Sequence, residues 1–344
     1  MENATAAPER QAILQDLGEN VDRLCTLDLR PPGPTSGYIH RFYTAVREQT
    51  GAPLALAAAQ CLDRVAPGST IVIATGFCHP QRLPQGETDG PPGAAALARA
   101  VLLGLDAVPL LIGEAAIEAP LQACLLSLGL RLRRDLEEAR TTPYSVAFQP
   151  FPTEEHAARE AARCLMTQVQ PAVIVVTEKV GPNHLGVAHS AMGIAIPEGA
   201  RALVEHLLHA ADAAHVPTIG VGDNGNDIGF GLIEEIVRRY KPYGDVCQCP
   251  CGGGLATVTK TTRLVTAAVA NWGAYGIVAC LAALRHSPAL LHSAAEELQM
   301  IDACVRAGAA DGITGRPVAT VDGLSAAVHA SIVELLQALI AKVT

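Results

Sequence analysis

Short, wholly apolar runs alternate with helical stretches along this chain, and this alternation constrains the fold more than any other feature. The run at residues 172–177 (AVIVVT) is rich in β-branched residues, which is typical of a strand buried on both faces. Because helical stretches separate most of these runs, the strands they connect are expected to be parallel. The sequence therefore predicts an α/β fold, with a mostly parallel sheet, helices on both faces and a helical N-terminal segment. The other predicted strands cover residues 71–74, 107–112, 145–149, 218–221 and 263–269.

The chain is predicted to have two regions. Residues 1–34 form an N-terminal helical extension, in which a helix over residues 9–24 ends before the proline-rich turn at 30–34. Residues 35–344 form a single α/β domain, because strands and helices alternate through them without a repeat or a low-complexity linker. The predicted helices of this domain cover residues 38–49, 53–65, 94–105, 114–128, 153–168, 199–214, 228–240, 275–285, 293–307 and 324–341.

Charge and hydropathy exclude several classes of protein. The 344 residues carry a formal net charge of −9 without a basic stripe, which argues against a nucleic-acid binder. The mean hydropathy is +0.26, but Asn271 and two glycines interrupt the most apolar stretch, residues 264–284, so no membrane span is expected. No signal peptide is apparent, and the ten Cys are expected to be reduced thiols. We expect a cytoplasmic protein that acts on a small molecule, and a homo-oligomer is compatible with the sequence.

Polar side chains collect in the loops that follow four of the predicted strands. These loops contain residues 86–93 (GETDGPPG), 178–183 (EKVGPN), 222–229 (GDNGNDIG) and 271–273 (NWG). In open parallel sheets ligands bind at the carboxyl ends of the strands, so the four loops are expected to line one pocket. The candidate site residues are Thr75, Gly76, Glu87, Asp89, Glu178, Lys179, Asn183, Asp223, Asn224, Asp227 and Asn271.

The carboxylates of these loops are candidate metal ligands. Glu87, Asp89, Asp223 and Asp227 offer hard oxygen atoms on glycine-rich loops, and such ligands suit Mg²⁺ or Mn²⁺. Simpler interpretations remain open. Glu87 and Asp89 would then be solvated acids in a turn, Asp227 would cap a helix beginning at Ile228, and the helix after residues 86–93 would receive an anion at its N-terminus.

Lys179 follows the strongest predicted strand and is one of few Lys in the chain. It is a candidate for holding a substrate carboxylate or donating a proton, and the alternative is a structural pair with Glu178 or a neighbouring acid. His184 and His189 are expected to pack rather than to catalyse.

Three closely spaced thiols, Cys247, Cys249 and Cys251, form a CxCxC run. Structural zinc sites usually pair CxxC units and need a fourth ligand, which the sequence does not reveal. We therefore expect buried or incidental thiols here, without a structural metal.

Five sequence blocks, in order, carry a resemblance to a known family. The blocks TGF, GETDGPPGA, EKxGxN, GVGDNGNDIGFG and NWGAYG resemble the D-glutamate cyclase family, C-terminal domain type, and the likeness spans residues 35–340 or thereabouts. Members of that family more usually carry GDGGNEIGMG, where this chain has Asn224 and Asp227. Asp227 has a shorter side chain than the Glu that is usual at this position, so its carboxylate would reach less far toward a metal.

The resemblance implies a hydro-lyase that converts D-glutamate to 5-oxo-D-proline and water. In this scheme a divalent metal on the four loop carboxylates polarises the γ-carboxylate of the substrate, and Lys179 neutralises a substrate carboxylate. Either Glu178 or a metal hydroxide takes the amine proton. The predicted catalytic residues are Lys179, Glu178 and Asp223, and the predicted substrate contacts are Thr75, Gly76, Asn183, Asn224 and Asn271. Two alternatives stay open: a metal-dependent phosphohydrolase or nucleotide-binding enzyme, and a non-catalytic ligand-binding protein.

Overall fold

The computed structural model describes residues 3–344, with side chains from residue 8 onward. Within this range a seven-stranded parallel sheet is surrounded by twelve α-helices, which confirms the predicted fold class. The sheet strands are β1 (Thr70–Thr75), β2 (Val108–Gly113), β3 (Arg131–Arg133), β4 (Ser145–Pro150), β5 (Val173–Thr177), β6 (Thr218–Gly222) and β7 (Arg263–Thr266). A small antiparallel hairpin is formed by β8 (Thr320–Val321) and β9 (Leu324–Ser325).

The helices lie on both faces of the sheet and at its N-terminal side. They are α1 (Asn3–Cys25), α2 (Ile39–Thr50), α3 (Leu54–Asp63), α4 (Pro91–Leu105), α5 (Glu118–Ser127), α6 (Leu136–Thr141), α7 (Glu155–Cys164), α8 (Glu205–Ala213), α9 (Glu234–Tyr240), α10 (Ala270–Leu284), α11 (Ala294–Arg306) and α12 (Ala326–Ala341).

Alternate residues of the central strand β1 enter two different cores. Ile71 and Ile73 pack into the larger core with α4 and α10, whereas Val72 and Ala74 pack into the smaller core with α7 and α8. This alternation follows from the period of two in a strand, and it explains why every position of β1 is buried.

The strand order is β3-β4-β2-β1-β5-β6-β7, so the direction in which the chain adds strands reverses between β1 and β5. In open parallel sheets this reversal leaves a crevice beyond the carboxyl ends of the two strands, where ligands bind. The loops that follow β1 and β5 carry Glu87, Asp89 and Glu178, so the topology brings three predicted site residues to this crevice.

The apolar stretch at residues 264–284 is strand β7 followed by α10, a helix whose residues are buried from Ala270 through Ala283. It packs against α1, α3, α4 and α12, and its burial among other helices accounts for the high hydropathy of the chain. No helix of residues 3–344 has the length and apolar character needed to cross a membrane.

The N-terminal segment packs onto the same core. Val21 and Cys25 of α1 are buried, and the carboxylate of Asp22 accepts hydrogen bonds from the backbone N–H groups of Leu54 (2.6 Å) and Ala55 (3.0 Å) at the start of α3. The boundary at residue 34 stays a prediction.

Several predicted local details were wrong. Strand β3 and helix α6 were not predicted, because the polar, half-exposed residues of β3 give no apolar run. Helix α9 begins at Glu234, so Asp227 does not cap it. The residues 271–273, predicted as a loop, lie in the first turn of α10, and α8 begins at Glu205 rather than at residue 199.

Candidate functional site

A cleft of about 380 Å³ opens at the carboxyl edge of the sheet, at the crevice between β1 and β5. Glu87, Glu178, Asn224, Asn226 and Asp322 line its polar side, and residues 31–35 and 190–194 contribute to its opposite walls. Loops after β1, β5 and β6 therefore meet at one cavity.

Six buried carboxyl groups surround the inner end of this cleft, and we call them the acidic cluster: Glu87, Asp89, Glu178, Asp223, Asp227 and Asp322. Carboxylate oxygens of Asp89, Asp223 and Asp322 lie within 4.8 Å of one another, and so do those of Glu178, Asp223 and Asp227. The structure thus brings together all the carboxylates that the sequence selected.

Asp322 is a member that sequence reasoning missed. It occupies the turn of the β8–β9 hairpin with a positive φ of 52°, and Gly323 follows it with a φ of 76°. An Asp-Gly pair between two apolar residues is the usual sequence signal of a tight hairpin, so the turn was open to prediction although its position at the cleft was not.

Asp89 and Asn271 hold two helix N-termini together. The Asp89 carboxylate accepts hydrogen bonds from the backbone N–H groups of Ala270 (2.8 Å) and Asn271 (2.8 Å), at the start of α10. In return, the Asn271 side-chain oxygen accepts from Gly90 (2.9 Å) and Gly93 (2.8 Å), at the start of α4. These N–H groups would otherwise lack partners in the first helical turns. Asp89 and Asn271 therefore fix the starts of α4 and α10 relative to each other.

Asp223 is held by residues from distant parts of the chain. The guanidinium of Arg30, buried in the proline-rich turn, donates to its Oδ2 at 2.6 Å, and the Asn224 amide donates to its Oδ1 at 2.6 Å. Tyr38 donates its hydroxyl to the Asn224 oxygen at 2.5 Å. Lys241 lies with its Nζ 4.7 Å from the centre of the Tyr38 ring. Arg30, Tyr38 and Lys241 were missed, because nothing in their local sequence indicates a site.

Several buried oxygen atoms in the cleft lining or in residues next to it have no hydrogen-bond partner among the described residues. These are Oε2 of Glu178, Oδ1 of Asp227, Oδ1 of Asn226 and Oγ1 of Thr75, all buried. The other carboxylate oxygen of Asp227 accepts from the backbone N–H groups of Asp223 and Asn224, so it closes the loop after β6. Buried polar atoms without partners are rare in folded proteins, and here they are oxygen atoms suited to a hard cation.

The backbone at the cleft is unusual. Glu178 has a φ of 47°, a left-handed conformation that costs a residue with a side chain about 1–3 kcal/mol. Gly90 has a φ of 100°, and a Cβ at this position would lie 2.9 Å from Thr75 Oγ1 and 3.0 Å from Glu178 Cβ. Close packing of Gly90 thus fixes where Glu178 projects.

Lys179 does not contact Glu178 in this structure. Its ammonium group is ion-paired with Glu114 and donates to the carbonyl oxygen of Gly76 at 2.8 Å, and the side chain is fully buried. Glu114 also accepts from the backbone N–H of Ala202 at 2.7 Å. Neither Lys179 nor Gly76 lines the cleft. Lys179 forms a structural ion pair with an acid, which is the alternative to a catalytic role that the sequence left open.

Asn183 also lies outside the lining of the cleft. Its side-chain oxygen accepts from the backbone N–H groups of Leu185 (2.9 Å) and Val187 (3.0 Å), and its amide donates to the carbonyl oxygen of Gly254 at 2.7 Å. These contacts make Asn183 a loop-organising residue.

Burial and mutual repulsion perturb the ionisation of the acidic cluster. Burial, followed by the charge of neighbouring carboxylates, raises the pKa of Asp89 to about 8 and that of Asp227 to about 7. The same causes raise the pKa of Glu87 and Glu178 well above the ordinary value. Burial lowers the pKa of Lys241 to about 7. Some carboxyl groups of the cluster therefore retain protons near neutral pH, because close carboxyl groups cannot all ionise at once.

The fold and the cleft define a doubly wound α/β protein with an acidic cleft at the reversal of its strand order. The chain belongs to the family described as D-glutamate cyclase-like, C-terminal, whose model matches residues 39–337. It is also 29% identical over 216 residues to the mitochondrial D-glutamate cyclase of Homo sapiens. That alignment covers 62% of this chain and 32% of the human protein, so the chain matches about a third of the relative's length.

Proposed function

We propose that this chain is a D-glutamate cyclase-like lyase that converts D-glutamate to 5-oxo-D-proline and water in the acidic cleft. The observation that carries the proposal is the acidic cluster itself, in which Glu178 lines the cleft and has an Oε2 without a hydrogen-bond partner among the described residues. The family name and the human relative suggest the substrate.

The proposed reaction needs paired proton transfers. The α-nitrogen bonds to the carbon of the γ-carboxylate, one C–O bond of that carboxylate breaks, two protons leave the ammonium nitrogen, and two reach the departing oxygen, which leaves as water. Glu87 and Glu178 both line the cleft, and burial together with neighbouring carboxylates raises the pKa of each well above its ordinary value, so we propose that one is protonated while the other is ionised. Such a pair supplies an acid and a base at the same time. We assign the base to Glu178, whose Oε2 is unpartnered, and the acid to Glu87.

A divalent cation fits the same site. Asp223 and Asp227 lie with Glu178 in a group of close carboxylate oxygens, and Oδ1 of Asp227 has no protein partner among the described residues. Hard oxygen donors of this kind suit Mg²⁺ or Mn²⁺. Such an ion would polarise the γ-carboxylate of the substrate. Burial raises the pKa of Asp223, and Arg30 opposes this rise and orients the carboxylate by its 2.6 Å contact.

Within residues 3–344, no free helix N-terminus at the cleft supports the alternative function, a metal-dependent phosphohydrolase. A phosphate at a helix N-terminus needs free backbone N–H groups, and those at the starts of α4 and α10 already donate to Asn271 and Asp89. We therefore propose the lyase alone.

Calorimetric titration with Mn²⁺ tests the cation site through Asp227→Asn. The Asn side chain keeps an oxygen for the backbone N–H groups of Asp223 and Asn224, so the loop is preserved while the ligand charge is lost. We expect the affinity for Mn²⁺ to fall at least about 10-fold. In the unmodified protein, affinity should rise between pH 6 and pH 8, because the ion needs the ionised carboxylate and the pKa of Asp227 is about 7.

The matched control is Asp245→Asn, which removes an acid whose side chain is 69% exposed and lies outside the cleft lining. It should leave Mn²⁺ binding unchanged. Equal affinity in the Asp227→Asn and unmodified proteins would exclude the proposed ligand set.

A further inference from the structure

A second group of metal-ligand atoms lies beside the cleft, and we call it the thiol–imidazole cluster: Cys247, Cys249, Cys251 and His189. The three Sγ atoms and one His189 ring nitrogen all lie within 4.8 Å of one another. Nε2 of His189 is 3.2 Å from Sγ of Cys249 and 3.5 Å from Sγ of Cys251. Sγ of Cys247 is 3.4 Å from that of Cys249 and 3.3 Å from that of Cys251.

His189 supplies the fourth ligand that the sequence did not reveal. It lies 60 residues before Cys249, in the long loop after β5, so no local spacing connects it to the CxCxC run. The expectation of incidental thiols rested on the absence of this ligand. Three thiols and one imidazole form one of the usual ligand sets of structural zinc sites.

We propose that His189, Cys247, Cys249 and Cys251 bind one zinc ion in a closed, structural site. The separations of Cys247 Sγ from the other two sulfur atoms, 3.3–3.4 Å, are too long for a disulfide, whose bond is about 2.05 Å. A zinc tetrahedron with Zn–S bonds of about 2.3 Å has edges of about 3.8 Å, so small outward shifts of the side chains admit the ion. Four protein ligands leave no position for water, and soft thiolates select zinc over Mg²⁺ or Mn²⁺.

The backbone around the cluster supports thiolate ligands. The N–H of Gly253 donates to Sγ of Cys251 at 3.4 Å, and the Asn183 amide lies 3.8 Å from the same sulfur. Gly252 has a φ of 67°, which turns the chain directly after the third Cys. Hydrogen-bond donors that contact a ligand atom in this way orient metal ligands.

The ion would join two long loops, the first of which forms part of a wall of the cleft. Within the described part of the chain, residues 178–204 and 241–262 contain no helix or strand of their own. The His189 carbonyl oxygen accepts from the Asn226 amide at 2.9 Å, and Asn226 lines the cleft. Loops of this length in a compact domain need additional constraint, and a metal crosslink provides it. The zinc would therefore stabilise the wall and take no part in the chemistry.

Elemental analysis of the full chain tests this site. The protein is purified under reducing conditions without added metal, and its metal content is measured by inductively coupled plasma mass spectrometry. We expect about one zinc per chain. Cys249→Ser should reduce this content to a small fraction, whereas Cys164→Ser, which changes a free thiol at the end of α7, should retain it.

Cobalt substitution of the unmodified protein keeps the proposal testable if Cys249→Ser fails to fold. We expect one Co²⁺ per chain, with the visible absorption of a tetrahedral ion and a sulfur-to-cobalt charge-transfer band. A disulfide among the three Cys, free thiols without metal, copper or iron in place of zinc, or zinc that persists in folded Cys249→Ser protein would each overturn the proposal.

Discussion

Glu178→Gln is expected to lower kcat for the conversion of D-glutamate to 5-oxo-D-proline by about 100- to 10 000-fold, the usual contribution of a general base. The Gln side chain has nearly the same shape but cannot accept the amine proton. Stability should not fall, because burial and neighbouring carboxylates already raise the pKa of Glu178 well above its ordinary value and thus oppose its charge. Steady-state kinetics with D-glutamate measure the effect.

Two further readouts separate a base from a structural carboxylate. If Glu178 is the base, the KM for D-glutamate and the Mn²⁺ affinity should change much less than kcat. The control Glu48→Gln changes an acid on α2, away from the cleft lining, and should have unmodified kinetics. An unchanged kcat in Glu178→Gln would remove Glu178 from the mechanism.

Lys179→Met is expected to lower the free energy of unfolding by about 3–5 kcal/mol, because it leaves the Glu114 carboxylate buried without its cation. Met retains most of the volume and apolar surface of the Lys side chain, so the lost free energy of unfolding reflects the removal of the positive charge. Urea unfolding at pH 7 gives the measurement.

The double variant Lys179→Met/Glu114→Gln is the matched comparison. Gln removes the unpaired charge while its oxygen still accepts from the Ala202 N–H, so most of the lost stability should return. A loss of no more than about 1 kcal/mol in the single variant, the size typical of an exposed pair, would contradict the structural role.

The fold could be predicted from local patterns because burial on both faces leaves a clear signature. Strands such as β1 and β5 are continuous apolar runs, and their alternation with helices selected the parallel sheet. The same topology explains why acids after β1, β5 and β6 could be grouped in advance: the carboxyl ends of parallel strands meet at one edge.

The partners of these residues could not be predicted, because they are distant in sequence. Arg30 reaches Asp223 across 193 residues, and Lys179 pairs with Glu114 across 65. Asp89 fixes the start of α10 from 181 residues away, which explains why the predicted helix began five residues late, at residue 275. Spacing and composition report local structure and burial, whereas these contacts depend on the assembled fold.

The measurement that tests the central proposal most directly is incubation of the full chain with D-glutamate and Mn²⁺, followed by proton nuclear magnetic resonance. We expect 5-oxoproline to accumulate from D-glutamate, with much less from L-glutamate, because an asymmetric cleft with fixed charges distinguishes the two enantiomers. Accumulation should stop in Glu178→Gln. If D-glutamate remains unchanged while Mn²⁺ is bound, the lyase proposal is contradicted, and the cleft is then a binding site without this activity.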